Sequence, residues 1–323
     1  MILIVTDKDE PTTDLVIDWL NYLNKKYIRI SIENKISIQK VYQFSGNFEA
    51  LFTVKLENGT ETIIDTKDIT AYWYRRSELY LNRIELGKSK NIKKNVQKAL
   101  QKHLDFEHYA LFRVLHDILD QKHRINSFKD NSISKLDILQ KAQSVGLLIP
   151  STIICNDKET LQTFYYQNNE KLITKSIGDP FGLNDLGFHY FTSKIEIDKI
   201  PNKFGLSLFQ AMLVKLFELR IFYLHGEIFA SAVFSQKDPQ TQIDFRHYNR
   251  EKPNRVIPYK LPQKQKQKIC KLMKLAELNS GSIDMVVTEK REYVFLEVNP
   301  IGQFEQVSMP CNYNLFKKVA EIL

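Results

Sequence analysis

The chain is poor in cysteine, glycine and proline and has no long apolar run, and each shortage removes a class of protein. Only 3 cysteines occur in 323 residues, Cys155, Cys270 and Cys311, and no Cys-x-x-Cys pair is present. That odd number and wide spacing exclude a disulfide framework and a cysteine-based zinc site, and they fit a reducing cytoplasm. With 11 glycines and 10 prolines the sequence is neither collagen-like nor of low complexity. The longest apolar runs, Ile2–Val5 and Leu147–Pro150, fall far short of the ~18 residues needed to cross a bilayer. The opening Met1-Ile2-Leu3-Ile4-Val5-Thr6-Asp7 lacks a basic stretch and meets an acid at once, so it reads as a first strand and not as a signal peptide. No repeat of fixed period is visible, which removes the solenoid architectures.

What remains is an ordinary globular composition. Hydrophobic residues at 43% against 26% charged provide a core and exclude wholesale disorder. The length matches roughly two domains at about 150 residues each. Lysine and arginine exceed aspartate and glutamate by 46 − 38 = 8. The excess gathers in Lys88–Lys102 and Lys260–Lys274, both free of acids. Aromatics do not interleave with these lysines, so solvated helix faces, or a surface for an acidic peptide, fit better than single-stranded nucleic acid.

The order of elements predicts an α/β chain. Ile2–Val5 reads as a buried strand. Thr12 or Thr13 is positioned to cap a helix carrying Leu15, Val16, Trp19, Leu20 and Leu23 at helical spacing. Residues 27–32 alternate as a second strand, residues 52–56 and 61–64 form a hairpin about Asn58-Gly59, and residues 69–75 form a further strand. Residues 91–119 read as a long helix buried through Leu100, Leu104, Leu111, Val114, Leu115 and Ile118. The polar, aperiodic stretch 120–132 reads as a connection. Ser134 then caps a helix ending at Gly146, whose freedom suits a left-handed C-terminal cap. Beyond it come strands at 152–155, 172–175, 209–214 and 218–224, the last turning through His225-Gly226 into 228–234. A helix over 261–278 and a final hairpin of 283–287 with 293–298 complete the chain.

That final hairpin carries the most chemistry. Glu297 and Asn299 are separated by one residue and leave the same face of a strand, and pairing can bring Asp284 alongside. Three oxygen-bearing side chains at a strand end suit a hard cation such as Mg²⁺, with waters and phosphate oxygens completing its shell. The bland alternative is a polar edge, but Glu297 sits inside the apolar run Tyr293–Val298, where an unpaired carboxylate is costly. Lys175 ends an apolar strand and faces the glycine-bearing stretch 176–182, as a point charge on phosphate would; a strand-end lysine reaching solvent is the alternative. Glu218 and Arg220 share one strand face, either as a structural ion pair or as contacts to a sugar hydroxyl and a phosphate. Asp244-Phe245-Arg246 repeats the acid-x-Arg spacing.

These features occur in the order of a known fold. The stretches KLDILQKAQSVGLLIPST, LITKS, FQAMLVK, FELRIFYL, IDFRHY, SIDMVV and FLEVNP together resemble an ATP-grasp ligase. The stretches AYWYRRSE and EVNPIGQFEQVSMPCNYNL resemble the graspetide (microviridin-type) synthetases, and among them the grasp-with-spasm peptide maturases. The resemblance implies an ATP-grasp fold with an N-terminal pre-ATP-grasp domain (1–122), a central subdomain (123–208) and a C-terminal antiparallel-sheet subdomain (209–323). By the same resemblance Lys135 and Lys175 contact the nucleotide, and Gln210 with the Met212 and Leu213 backbone holds adenine. Glu218 takes the ribose, Arg220 and Arg246 serve the transferred phosphate and the incoming carboxylate, and Asp284, Glu297 and Asn299 bind magnesium. Ala211 stands where many relatives carry an acid.

The activity so implied is ATP- and Mg²⁺-dependent macrocyclisation of a ribosomally made precursor peptide with a leader and an acidic core. Asp or Glu side chains, activated as acylphosphates, are joined to Ser or Thr as ω-esters or to Lys as ω-amides, with ADP and phosphate released. The resemblance further implies a cytoplasmic homodimer that engages neither nucleic acid nor membrane. Two alternatives stand beside it: a sister ligase adding free amino acids to a peptide or protein, and a basic, non-enzymatic nucleic-acid-binding protein.

Overall fold

The computed structural model describes residues 1–56, 59–77, 79–81, 85–87, 93–178, 192–236 and 253–323. The chain divides into two compact units, Met1–Asn131 with Asn314–Leu323, and Ser132–Tyr313. The expected segments 123–208 and 209–323 therefore fall mainly within one unit, while the last ten residues belong with the other.

In the first unit, β1 (Ile2–Val5), α1 (Pro11–Tyr22) and β2 (Tyr27–Ile30) are followed by β3 (Lys35–Phe44), β4 (Asn47–Lys55), β5 (Glu61–Asp65), β6 (Ala71–Tyr74) and β7 (Tyr80–Leu81), then α2 (Lys94–Leu119) and β8 (His123–Ile125). A parallel sheet has the order β2-β1-β6-β8, and a second sheet the order β5-β4-β3-β7. Helix α1 is capped two or three residues earlier than the threonines suggest, at Glu10. Pro11 occupies its first turn, and the Glu10 carboxylate accepts the Thr13 backbone N–H at 2.7 Å, leaving Thr12 and Thr13 buried behind the cap. The β3–β4 hairpin, unforeseen from sequence, turns at Ser45-Gly46, both at positive φ. The polar stretch 120–132 is not merely a connection but contributes β8, pairing parallel with β6 and burying Ile125. In α2 part of the expected stripe is not buried: Leu100, Leu111 and Val114 are exposed. Phe112, Leu115, His116, Ile118 and Leu119 are buried, because only that face of the last turns meets the aromatic core of Tyr74 and Phe128.

The second unit runs α3 (Lys135–Ser144), β9 (Thr152–Asp157), α4 (Lys158–Gln167), β10 (Leu172–Lys175), β11 (Ser193–Lys194), β12 (Lys203–Ala211), β13 (Lys215–Leu224), β14 (Glu227–Phe234), β15 (Arg255–Pro258), α5 (Gln263–Leu275), β16 (Ser280–Thr288), β17 (Tyr293–Asn299) and α6 (Glu305–Cys311). The final helix, α7 (Leu315–Ile322), lies in the first unit. As the sequence indicates, Ser134 caps α3 and Gly146 follows its end at φ +82°. The strand expected at 209–214 stops at Ala211, and 212–214 is irregular before β13 begins. Two antiparallel sheets result, β11-β10-β12-β9 and β15-β14-β13-β16-β17. The second positions the candidate site.

Candidate active site

Strand alternation gives the five-stranded sheet two chemically different faces. Leu219, Ile221, Ile283, Met285, Val287 and Phe295 point to one side and form a core with Ile138, Leu139 and Ala142 of α3 and Ile269, Leu272 and Met273 of α5. Glu218, Arg220 and Asp284 point to the other. Register places Arg220 opposite Asp284 and Asp284 opposite Glu297, so three charged residues lie in a row across β13, β16 and β17, with Ser282 opposite Asn299 one step along.

Two register shifts make this row possible. In β17 the pairing runs Met285↔Phe295 and then Asp284↔Glu297, so Leu296 is an extra residue. Strict alternation would place Glu297 on the core face with Phe295; the bulge turns it to the charged face. In β13 the pairing runs Lys215↔Thr288 and then Phe217↔Val287, making Leu216 the extra residue. Lys215 thereby shares the face of Glu218.

The charges neutralise one another in pairs. The Arg220 guanidinium donates to the Asp284 carboxylate. Lys175 Nζ, from β10, lies 3.9 Å from Glu297 Oε2. Lys215 Nζ and Ser235 Oγ each donate to Glu218 Oε1 at 3.0 Å. Glu218 is only 6% exposed, and burial raises its pKa while Lys215 and Ser235 partly offset the rise. Gln210 is 1% exposed and donates through Nε2 to Thr152 Oγ1 at 2.9 Å. The irregular segment after it is held by Ala211 N–H to Ser151 O and Met212 N–H to Lys171 O, both 2.9 Å.

These groups surround one cavity of about 450 Å³. Of the residues singled out in the sequence, Lys175, Gln210, Met212, Leu213, Glu218, Asp284 and Glu297 line it. Arg220 stands behind Asp284. Asn299 is exposed at the end of β17, and neither it nor Lys135 lines the cavity. Lys135 Nζ instead donates to Gly178 O at 3.1 Å and to Ser176 at 3.4 Å. Arg246 and most of the stretch 176–187 lie outside the described residues. Thr192, Lys194 and Lys215 line the cavity without having been singled out. A cation three residues before Glu218 was a visible signal for Lys215, but a period of two assigns those positions to opposite faces.

The oxygen donors suit a hard cation. Asp284 and Glu297 are cross-strand partners, Asn299 offers a carboxamide on the same face, and no soft ligand is among them. Two carboxylates and an amide leave coordination positions for water and phosphate oxygens. Among the described residues no group of three or more His, Cys, Asp or Glu forms a closed metal cage. No helix of the described residues is long and apolar enough to cross a membrane.

Residues 209–323 match the RimK-like ATP-grasp domain. Among solved structures, the macrocyclase MdnC of Microcystis aeruginosa MRC, bound with precursor peptide MdnA, is 25% identical, with 100% of this chain and 98% of that one covered and a TM-score of 0.70. A RiPP-associated ATP-grasp ligase of Chryseobacterium gregarium, in complex with ADP and a leader and core peptide, is 22% identical over 99% and 94% of the two chains, TM-score 0.75. The ATP-grasp ligase PsnB, complexed with a variant of its minimal precursor, Mg and ADP, is 15% identical over 99% and 96%, TM-score 0.68. No curated protein sequence matches the chain.

Proposed function

We propose that this chain, an ATP-grasp enzyme by its fold, is an ATP-dependent carboxylate ligase that macrocyclises a precursor peptide through Asp or Glu side chains. The observation that carries the reading is the convergence of Lys175, Glu218, Asp284 and Glu297 with the segment 210–213 on one cavity. Similarity over the whole chain to a macrocyclase bound with its precursor peptide supports the peptide as substrate. The finer terms of the proposal are a graspetide product with ω-ester or ω-amide links, a Mg²⁺ requirement, a homodimer and a cytoplasmic site of action.

Joining a carboxylate to an alcohol or amine is uphill in water, so the acid must first be activated by the γ-phosphate of ATP. When bound there, Mg²⁺ would supply positive charge to offset that of the phosphate oxygens. Asp284, Glu297 and Asn299 would hold it. Lys175, placed 3.9 Å from Glu297, presents a cation beside the same oxygens. Arg220 fixes the Asp284 carboxylate in its rotamer, and by resemblance Arg246 serves the incoming acid. Met212 N–H is already given to Lys171 O, which leaves the Met212 carbonyl and the Leu213 backbone to meet the base. Gln210, locked by Thr152, orients that segment.

The test is incubation of the chain with the precursor peptide encoded beside it, ATP and Mg²⁺. Each linkage formed removes the mass of one water from the peptide and releases one ADP. An unchanged peptide mass under active ATP turnover rejects the cyclase. A gain in mass on adding free amino acids identifies the sister ligase.

A further inference from the structure

We infer that Lys215 and Ser235 are positioning residues that clamp one oxygen of Glu218, leaving the other to receive the ribose hydroxyls of the nucleotide. The clamp thereby sets preference for ribo- over 2′-deoxyribonucleotides. The inference rests on the nucleotide reading of the cavity and assigns work to two side chains which that reading does not use.

Both donors converge on Glu218 Oε1 at 3.0 Å, and neither engages Oε2. The two approach from different strands. Ser235 follows β14 two residues after Val233, which pairs with Glu218, so alternation sends its fully buried hydroxyl to the same face. Lys215 reaches that face only because Leu216 is bulged out of the β13–β16 register. A lysine in an unbulged strand would instead point toward the core side with Phe217.

Such a bulge has a consequence for the carboxylate. The Glu218 side chain is 8% exposed and that of Lys215 11% exposed. An acid so buried is driven toward its neutral form, in which it becomes a poorer acceptor for two hydroxyls. A lysine at hydrogen-bond distance keeps it charged, and the serine fixes the plane of the carboxylate. With Oε1 saturated, the remaining lone pairs are directed from one oxygen instead of from a freely rotating group, and Glu218 lines the cavity that would hold the sugar. Lys215 therefore acts on the ligand through Glu218.

Titration calorimetry of the full chain with ADP and 2′-deoxy-ADP tests this. The wild type is expected to favour ADP. Lys215→Met is expected to reduce that preference about tenfold, because it removes a charge-assisted hydrogen bond, while affinity for 2′-deoxy-ADP stays near wild type and certifies the folded cavity. Lys215→Arg is expected to restore most of the preference, and Ser235→Ala to reduce it less than Lys215→Met. Should Lys215→Met prove insoluble, Ser235→Ala carries the same readout. A wild type that binds ADP while the variant keeps an unchanged ADP to 2′-deoxy-ADP ratio overturns the clamp alone. A wild type that binds neither nucleotide overturns the nucleotide reading beneath it, and the clamp with it.

Discussion

In the parallel sheet of the first unit, every residue of β1 and β6 is buried, whereas in the antiparallel sheet of the second unit β13, β16 and β17 alternate between core and charge. The two central strands of the parallel sheet carry no charge, which enters only past their ends. There Arg75, immediately after β6, meets Glu10 at 3.2 Å, and both are buried. Burial raises the Glu10 pKa, but Arg75 together with the Thr13 hydroxyl and amide outweighs it and holds the carboxyl below its ordinary range. The antiparallel sheet turns one face to the cavity and carries Glu218, Arg220, Asp284 and Glu297 within its strands. A sheet with one face on a cavity can mount chemistry on its stiffest part; a sheet packed on both faces serves as scaffold.

Four measurements break or sharpen that contrast. Leu3→Ala, in the centre of the parallel sheet and wholly buried, is expected to cost about 2–5 kcal/mol in urea unfolding. Glu297→Gln is expected to lower turnover roughly 10²–10³-fold, comparable to losing one preorganised charge contact, with an unfolding midpoint close to wild type. If Glu297→Gln lowers the unfolding midpoint and leaves the rate intact, the charged face is structural and the contrast fails.

A third measurement uses pH. Burial pushes His116 in α2 down to about 4. The unfolded histidine titrates near 6.5, so as pH falls from there toward 4 the unfolded chain takes up a proton that the folded chain refuses. Stability drops across that window by up to about 3 kcal/mol. His116→Gln should remove this share of the pH dependence, read as the difference between wild-type and variant urea midpoints at pH 7.5 and 5. The smallest effect is expected from Gly302→Ala. A Cβ at Gly302 collides with the Ser282 side chain and comes within 2.9 Å of Asn299 O. The turn after β17 must shift, and a higher Mg²⁺ concentration for half-maximal activity checks it.

Much of the site was legible in the sequence, though not always for the reason that first suggests itself. The final hairpin stands out because 283–287 and 293–298 are apolar strands about a polar turn. Alternation puts Glu297 on the face of Asn299 and the cost of burying it marks it as a ligand, yet the same alternation would put it beside Phe295. The bulge at Leu296 reconciles the two, and nothing in one sequence marks where an extra residue enters a ladder. Lys215 escaped notice for the same cause. Strand β8 was missed because three residues are too few to show alternation against a polar background. In α2 the apolar spacing identifies a helix correctly but does not say how much of its length a core covers, and half the expected stripe is exposed.

Helix α7 has a consequence for the order in which the molecule can mature. It lies against α1 with Leu315, Phe316, Val319 and Ala320 buried. Lys25 Nζ donates to Ala320 O at 3.0 Å and Glu321 O at 2.9 Å, and Lys317 sits 5.5 Å from the Trp19 ring. During translation the first 131 residues emerge long before this helix exists. The unit whose synthesis begins first is thus one whose packing is completed only after the whole of the other has been made, and until then the apolar flank of α1 lacks its cover.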